Sequence, residues 1–387
     1  MYLLLISIIY VSFISLGLGD SLFGSAWPVI QREMGVPIHY AGIVSMTIAG
    51  GTILAGLMSD RVTRRFGIGI VAPISVLITA AALFGFSTAS EFWMLFLWAI
   101  PYGLGGGTLD AAINNYVATN YTSRHMSWLH CFWGVGAMTG PYIMGLYLTQ
   151  SFGWDGAYRT IAIVQVIFVV VLALSFSLWK KREKTSKSNL PAKGLKEILQ
   201  IRGVKFALLA FFAYCAIEAT TGLWASTFLV NHRGIEAETA ALFASLFFIG
   251  ITAGRFVAGI VSNKLGSKTM IKIGIATIII GIGAVIIPLD TNLFSFAGLI
   301  IVGLGCSPIF PALMHLTPSN FGTENSQAIV GIQMAGAYSG SALMPPLFGL
   351  ITNHFGLGFF PVFLLIFAWL LLVMFILLNR QVEGYRE

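Results

Sequence analysis

Apolar residues run along this chain in long blocks, not in the short alternation of a strand or the one-sided stripe of a surface helix. Blocks of roughly 20 residues are long enough to cross about 30 Å of hydrocarbon as helices. They fall near 3–28, 38–58, 67–88, 92–118, 127–150 and 157–179, then near 206–229, 239–261, 270–288, 293–315, 326–350 and 358–379. Polar positions between them come in short clusters, apart from one long stretch at 180–205. The pattern predicts an all-α membrane protein of twelve transmembrane helices in two parallel-related six-helix bundles. Residues 1–179 form the N-terminal bundle, 180–205 a cytoplasmic basic linker and 206–387 the C-terminal bundle.

Composition agrees. Apolar residues make up 57% of the chain and charged residues only 10%, with a mean hydropathy of +0.86. A soluble domain with so few charges could not cover its surface, so the solvent over most of it is lipid. The 43 glycines suit membrane helices whose backbones approach closely. The three cysteines, Cys131, Cys215 and Cys306, lie inside apolar blocks and offer neither a disulfide framework nor metal-ligand spacing. The chain is apolar from Tyr2 onward, without a basic segment or a small-residue cleavage site, so no removable signal peptide is expected.

Charge sets the expected orientation. With both termini in the cytoplasm, the inner segments carry 18 of the 22 Lys and Arg residues. The outer loops hold only Arg32 and Arg233. This asymmetry is the positive-inside pattern of a multi-pass protein of the cell membrane. The stretch from Lys180 to Lys205 has nine basic and two acidic residues, so its net +7 equals that of the whole chain. The basic balance therefore points to anionic lipid at the inner leaflet and not to nucleic acid.

The halves repeat one another. Ala55-Gly56-Leu57-Met58-Ser59-Asp60-Arg61-Val62 returns as Ala258-Gly259-Ile260-Val261-Ser262-Asn263-Lys264-Leu265, and Gly103-Leu104-Gly105 returns as Gly303-Leu304-Gly305. Repeats of an even number of spans run parallel, the arrangement in which two bundles rock about a midplane site.

Between spans 2 and 3, Gly56-Leu57-Met58-Ser59-Asp60-Arg61-Val62-Thr63-Arg64-Arg65 resembles the signature loop of the major facilitator superfamily, with Thr63 in place of the usual glycine. The resemblance implies gating roles for Asp60, Arg61, Arg64 and Arg65, and a meeting of the Asp60 carboxylate with the N-terminal dipole of span 11. Span 4, Gly103-Leu104-Gly105-Gly106-Gly107-Thr108-Leu109-Asp110 with Asn114 a turn later, resembles the fucose permease and glucose–proton symporter group. So do Tyr214-Cys215-Ala216-Ile217-Glu218 in span 7 and Gly254-Arg255 in span 8, and Asp20 falls where the fucose permeases carry a first-span aspartate. The resemblance implies that the chain works as a monomer.

The residues themselves lead to the same positions. Asp20, Asp110 and Glu218 are the carboxylates well inside apolar blocks, where an unpaired charge costs at least about 2.5–3.5 kcal/mol. A carboxyl that is neutral when buried and ionised when hydrated can carry a proton through alternating access, so these three are the expected proton-coupling groups. Asn114 shares a helix face with Asp110. A sugar has a polar rim and apolar faces, and its site needs amides beside aromatic walls. The expected substrate residues are Asn114, Asn115, Trp27, His130, Trp133, Trp224, Gln333 and Tyr338. Arg255 is expected to extend along its helix to the inner boundary.

The solute is therefore expected to be a small molecule, a hexose-like sugar, moved with protons as coupling ion. The alternative is proton-coupled export of drugs or small amphipathic metabolites, because Gly134, Gly136, Gly140 and Pro141 in span 5 resemble a drug-antiporter motif. No zinc or nucleotide motif is present, and the glycine run at 103–107 follows a membrane span, not a strand. No enzyme activity, metal or other cofactor is expected.

Overall fold

A computed structural model describes residues 2–121, 123–179, 195–287 and 292–383, and among them the secondary structure is helical with no strand. The first span is broken: α1 (Tyr2–Asp20) and α2 (Leu22–Glu33) meet at Ser21, giving one apolar segment, Leu3–Glu33. Spans two to six are α3 (Tyr40–Phe66), α4 (Ile68–Ser87), α5 (Phe92–Asn120), α6 (Ser123–Thr149) and α7 (Gly153–Leu174). After the short α8 (Leu195–Gln200) come α9 (Val204–Asn231), α10 (Ala237–Leu265) and α11 (Ser267–Ile286). The tenth span is again broken, into α12 (Leu293–Cys306) and α13 (Ile309–Phe321), before α14 (Thr323–Phe355) and α15 (Phe360–Glu383).

Ten helices among the described residues are long and apolar enough to cross a membrane. The expected fifth and eleventh spans correspond to α6 and α14, which are 27 and 33 residues long but richer in polar side chains. Such helices suit positions facing protein, where polar groups find partners. Of the expected linker, residues 180–194 lie outside the described residues. Its end is α8, whose Ile198 packs with Val204, Phe321, Ile329 and Leu378.

Two compact units are built from these helices. The first comprises Met1–Thr185 with Leu223–Phe248, and the second Ser186–Gly222 with Ile249–Glu387. In the first unit, α4 and α7 expose Ile74, Phe84, Ile163 and Ile167 outward while their facing sides meet through polar groups. The Thr79 hydroxyl lies 2.9 Å from Gln165 Oε1, and Gln165 Nε2 donates to the Ser15 carbonyl at 3.0 Å. Apolar outside and hydrogen-bonded inside is the polarity lipid imposes.

Glycines set the helix spacing. A Cβ at Gly107 would lie 2.6 Å from the Thr52 backbone of α3, and one at Gly105 would lie 2.8 Å from the Ser75 carbonyl of α4. The glycine run thus wedges α5 between two neighbours. In the second unit Gly305 stands 2.7 Å from the Gly274 carbonyl by the same measure, so the repeat is structural as well as sequential.

One expectation is corrected. The signature segment is not a free loop: α3 runs through Arg61, Arg64 and Arg65 and turns only at Gly67, whose φ of 80° suits glycine and whose N–H reaches the Thr63 carbonyl at 2.9 Å. Gly266 closes α10 in the same way with φ of 72°. The three arginines are exposed, and the Arg65 guanidinium lies 5.4 Å from the Phe66 ring centre. The Asp60 side chain lies outside the described residues.

Candidate functional site

The break between α1 and α2 places Asp20 inside the first span, away from both ends. Two other helices deliver donors to it. The Tyr102 hydroxyl of α5 donates to Asp20 Oδ1 at 2.9 Å, and the Trp133 indole N–H of α6 donates to Oδ2 at 2.9 Å. Glycines make this convergence possible. A Cβ at Gly17 would fall 2.8 Å from the Ala137 amide nitrogen of α6, and one at Gly19 would fall 3.2 Å from two Tyr102 ring carbons. Gly136 and Gly140 likewise face Ile14 and Leu18 of α1. The glycines of the drug-antiporter resemblance therefore serve the α1–α6 crossing. Asp20 is nonetheless exposed, so its carboxylate is oriented by two donors and still open.

Asp110 lies one turn before Asn114 on α5, and Asn114 Nδ2 donates to its Oδ1 at 2.9 Å. Asp20 lies within electrostatic reach of Asp110. The first unit thus holds two carboxylates, one partnered by a phenol and an indole and the other by an amide, all uncharged. Asn115 is half-buried beside them in sequence, and the His130 ring meets Phe13 edge-on at 5.9 Å.

Of the other expected substrate residues, Trp27 and Gln333 bond within the protein. Trp27 has no exposed surface; its indole N–H donates to the Ile38 carbonyl at 2.9 Å and its ring meets Phe23 at 5.4 Å. Trp224, which belongs to the first unit, is also fully buried. In the second unit Gln333 is buried and accepts from the Thr317 hydroxyl at 2.9 Å, tying α14 to α13, while Tyr338 is 36% exposed.

Glu218 of α9 and Arg255 of α10 form an ion pair, Nη2 to Oε1 at 3.5 Å. This corrects the expectation for Arg255, whose guanidinium meets a carboxylate inside the bundle. A carboxylate close by inside an apolar bundle is worth more to a guanidinium than extension along the helix. Sequence reading also missed Tyr102 as a partner of Asp20. Its position directly before the glycine run, which holds α5 against its neighbours, was the available signal.

Spans broken within the membrane, carboxylates inside the bundles and an internal repeat define a helical membrane transporter. A model of the Major Facilitator Superfamily matches residues 9–329 and 206–384, and the chain belongs to that superfamily. It is 21% identical to the glucose/mannose transporter GlcP of Bacillus subtilis, over 89% of this chain and 87% of that protein. It is 25% identical to a probable nitrate transporter, NarT, of Staphylococcus epidermidis, over 95% of this chain and 94% of the relative. Its fold is similar to that of the nucleoside transporter NupG, with a TM-score of 0.76 at 14% identity over 98% and 99% of the two chains.

Proposed function

We propose that this chain is a proton-coupled symporter of a hexose-like sugar, allied to the fucose permease and glucose–proton symporter group. It works by alternating access of the bundles 1–179 and 206–387, with both termini cytoplasmic. The observation that carries this reading is the Asp20–Asp110 group. Asp20 is held in one orientation by Tyr102 and Trp133 and remains open, and the same unit carries a second carboxylate, Asp110, backed by Asn114. Neutral donors orient a carboxylate without cancelling its charge, so it can gain and lose a proton. A cation in their place would hold it ionised. Trp133 sits beside Asp20 and adds an aromatic surface of the kind sugar faces use. The similarity to a glucose/mannose transporter supports the substrate class.

Purified protein in liposomes with an imposed proton gradient tests this reading. Uphill accumulation of glucose or mannose in the direction of proton flow supports it. Proton-driven expulsion of a cationic dye, with no sugar uptake, replaces it with export.

A further inference from the structure

Around Asp20 the protein's donors are spent and its acceptors are not. A carboxylate offers about four lone-pair sites. The Tyr102 hydroxyl fills one on Oδ1 and the Trp133 indole N–H fills one on Oδ2, each at 2.9 Å. A phenol has a single O–H and an indole a single N–H, so neither has a further proton to offer a solute. What remains at the exposed Asp20 is acceptor capacity: the other lone pairs of its carboxylate and those of the Tyr102 oxygen. Asp110 adds to the same surplus in the first unit, since among the described residues its hydrogen bond comes from Asn114 alone, at 2.9 Å. The half-buried Trp133 ring stands beside this acceptor face, and its plane is set by a T-shaped meeting with Phe248 at 6.4 Å and 73°.

A sugar hydroxyl both donates and accepts, so against a face made of acceptors its own lone pairs go unmet. An ammonium has three donors and no acceptor, and its charge complements a carboxylate inside an apolar bundle. An indole face beside it adds cation–π attraction. We propose that Asp20 receives the ammonium group of an amino sugar, so that hexosamines are the preferred solutes of this site. This names the substrate class of the site described above and rests on the sugar reading. Asp20 supplies the counter-charge, the Tyr102 oxygen a further acceptor, and Trp133 a wall for the ammonium and the adjoining ring face. With a neutral hexose the transported proton neutralises the carboxylate, whereas a hexosamine brings the positive charge itself.

Glucose, glucosamine and N-acetylglucosamine share a ring and differ at one carbon, which carries a hydroxyl, an ammonium or a neutral amide. Direct binding of the three to the purified full-length protein at about pH 6, where the amine is protonated, tests the proposal. Hydrogen bonds to charged groups are stronger than those between neutral ones, so glucosamine should bind about tenfold more tightly than either neutral sugar. Asp20→Asn keeps the side-chain shape and one acceptor but removes the charge, and should bring the ratio of glucosamine to glucose affinity to about one. If that variant does not fold, the wild-type comparison of glucosamine with N-acetylglucosamine decides, because it removes the charge from the solute instead of the protein. Glucose binding with no tighter binding of glucosamine overturns the proposal alone, as does a preference that persists in Asp20→Asn. Ethanolamine, an amine without a sugar ring, should bind at least about tenfold more weakly than glucosamine. Equal binding of ethanolamine, or binding of no sugar at all, overturns the proposal together with the sugar reading.

Discussion

The two units carry intramembrane carboxylates on similar glycine-spaced skeletons, yet neutralise them differently. In the first, Asp20 and Asp110 are met by a phenol, an indole and an amide. In the second, Glu218 is met by a guanidinium. Neutral donors orient a carboxylate and leave its protonation to change with its surroundings. A cation fixes the ionised form until something displaces it. On the function proposed above, the first half responds to protons, while the carboxylate of the second is held by its ion pair.

The largest expected effect falls on the first half. Asp110→Asn keeps the side-chain shape and a partner for Asn114 but removes a titrating group. Uphill accumulation driven by a pH gradient should collapse to the equilibrium level, while counterflow exchange, which needs no net proton movement, should persist. Glu218→Gln should lower accumulation of a neutral sugar much less. Equal losses in the two variants, measured in one liposome preparation, would erase the proposed division of labour.

The second effect reverses the ranking, because it concerns stability. Arg255→Gln leaves Glu218 charged inside the bundle. Removing one partner of a buried pair costs about 3–5 kcal/mol, and the partial exposure here reduces that to roughly 2–3 kcal/mol. Asp20→Asn should cost only about 1 kcal/mol, since the amide oxygen still accepts from one donor. Unfolding of each variant in detergent measures both. Recovery of most of the Arg255→Gln loss in the double variant with Glu218→Gln would show that the stranded charge, not lost packing, is responsible.

The fold was more legible in the sequence than the site, for a physical reason. Block length and hydropathy are local, so twelve spans could be laid out directly, and the Ala55-Gly56 and Ala258-Gly259 repeats exposed the duplication. Helix ends were harder. Arg61, Arg64 and Arg65 read as a loop because they are charged, yet charged side chains continue a helix past the bilayer until Gly67 stops it. Asp20, Asp110 and Glu218 stood out because charge is rare in apolar blocks, but their partners could not be read. Tyr102 lies far along the chain from Asp20, and only the α1, α5 and α6 packing joins them. Trp27 and Gln333 show the ambiguity of such residues: polar and aromatic groups that suit a sugar also suit an Ile38 carbonyl or a Thr317 hydroxyl.

A third test sharpens the comparison at the level of helix spacing. Gly19 leaves room for the Tyr102 ring, whose carbons would lie 3.2 Å from an added Cβ. Gly19→Ala should push Tyr102 off Asp20 and cost about 1–2 kcal/mol in stability through overpacking. Tyr102→Phe removes the same hydrogen bond without strain and should cost about 1 kcal/mol. Matching transport defects in the two variants would trace both to the Asp20 bond. A transport defect in Gly19→Ala alone would mean that helix spacing, not the bond, is what Gly19 protects.

The smallest effect concerns two glycines at which an added Cβ would face open space. Gly56 and Gly259 occupy equivalent places in the two halves, and a Cβ at either meets nothing within 4 Å. Both lie inside helices, α3 and α10, where glycine is about 0.5–1 kcal/mol less favourable than alanine because its unfolded chain has more freedom to lose. Gly56→Ala and Gly259→Ala should therefore leave stability unchanged or raise it by up to about 1 kcal/mol. Transport decides what the glycines are for. If each variant is as stable as the wild type or more so and transports normally, the two positions are neutral remnants of the duplication. If stability rises while turnover falls, the space above each glycine is needed in another state of the cycle, and unequal losses at Gly56 and Gly259 would identify the half that needs it more.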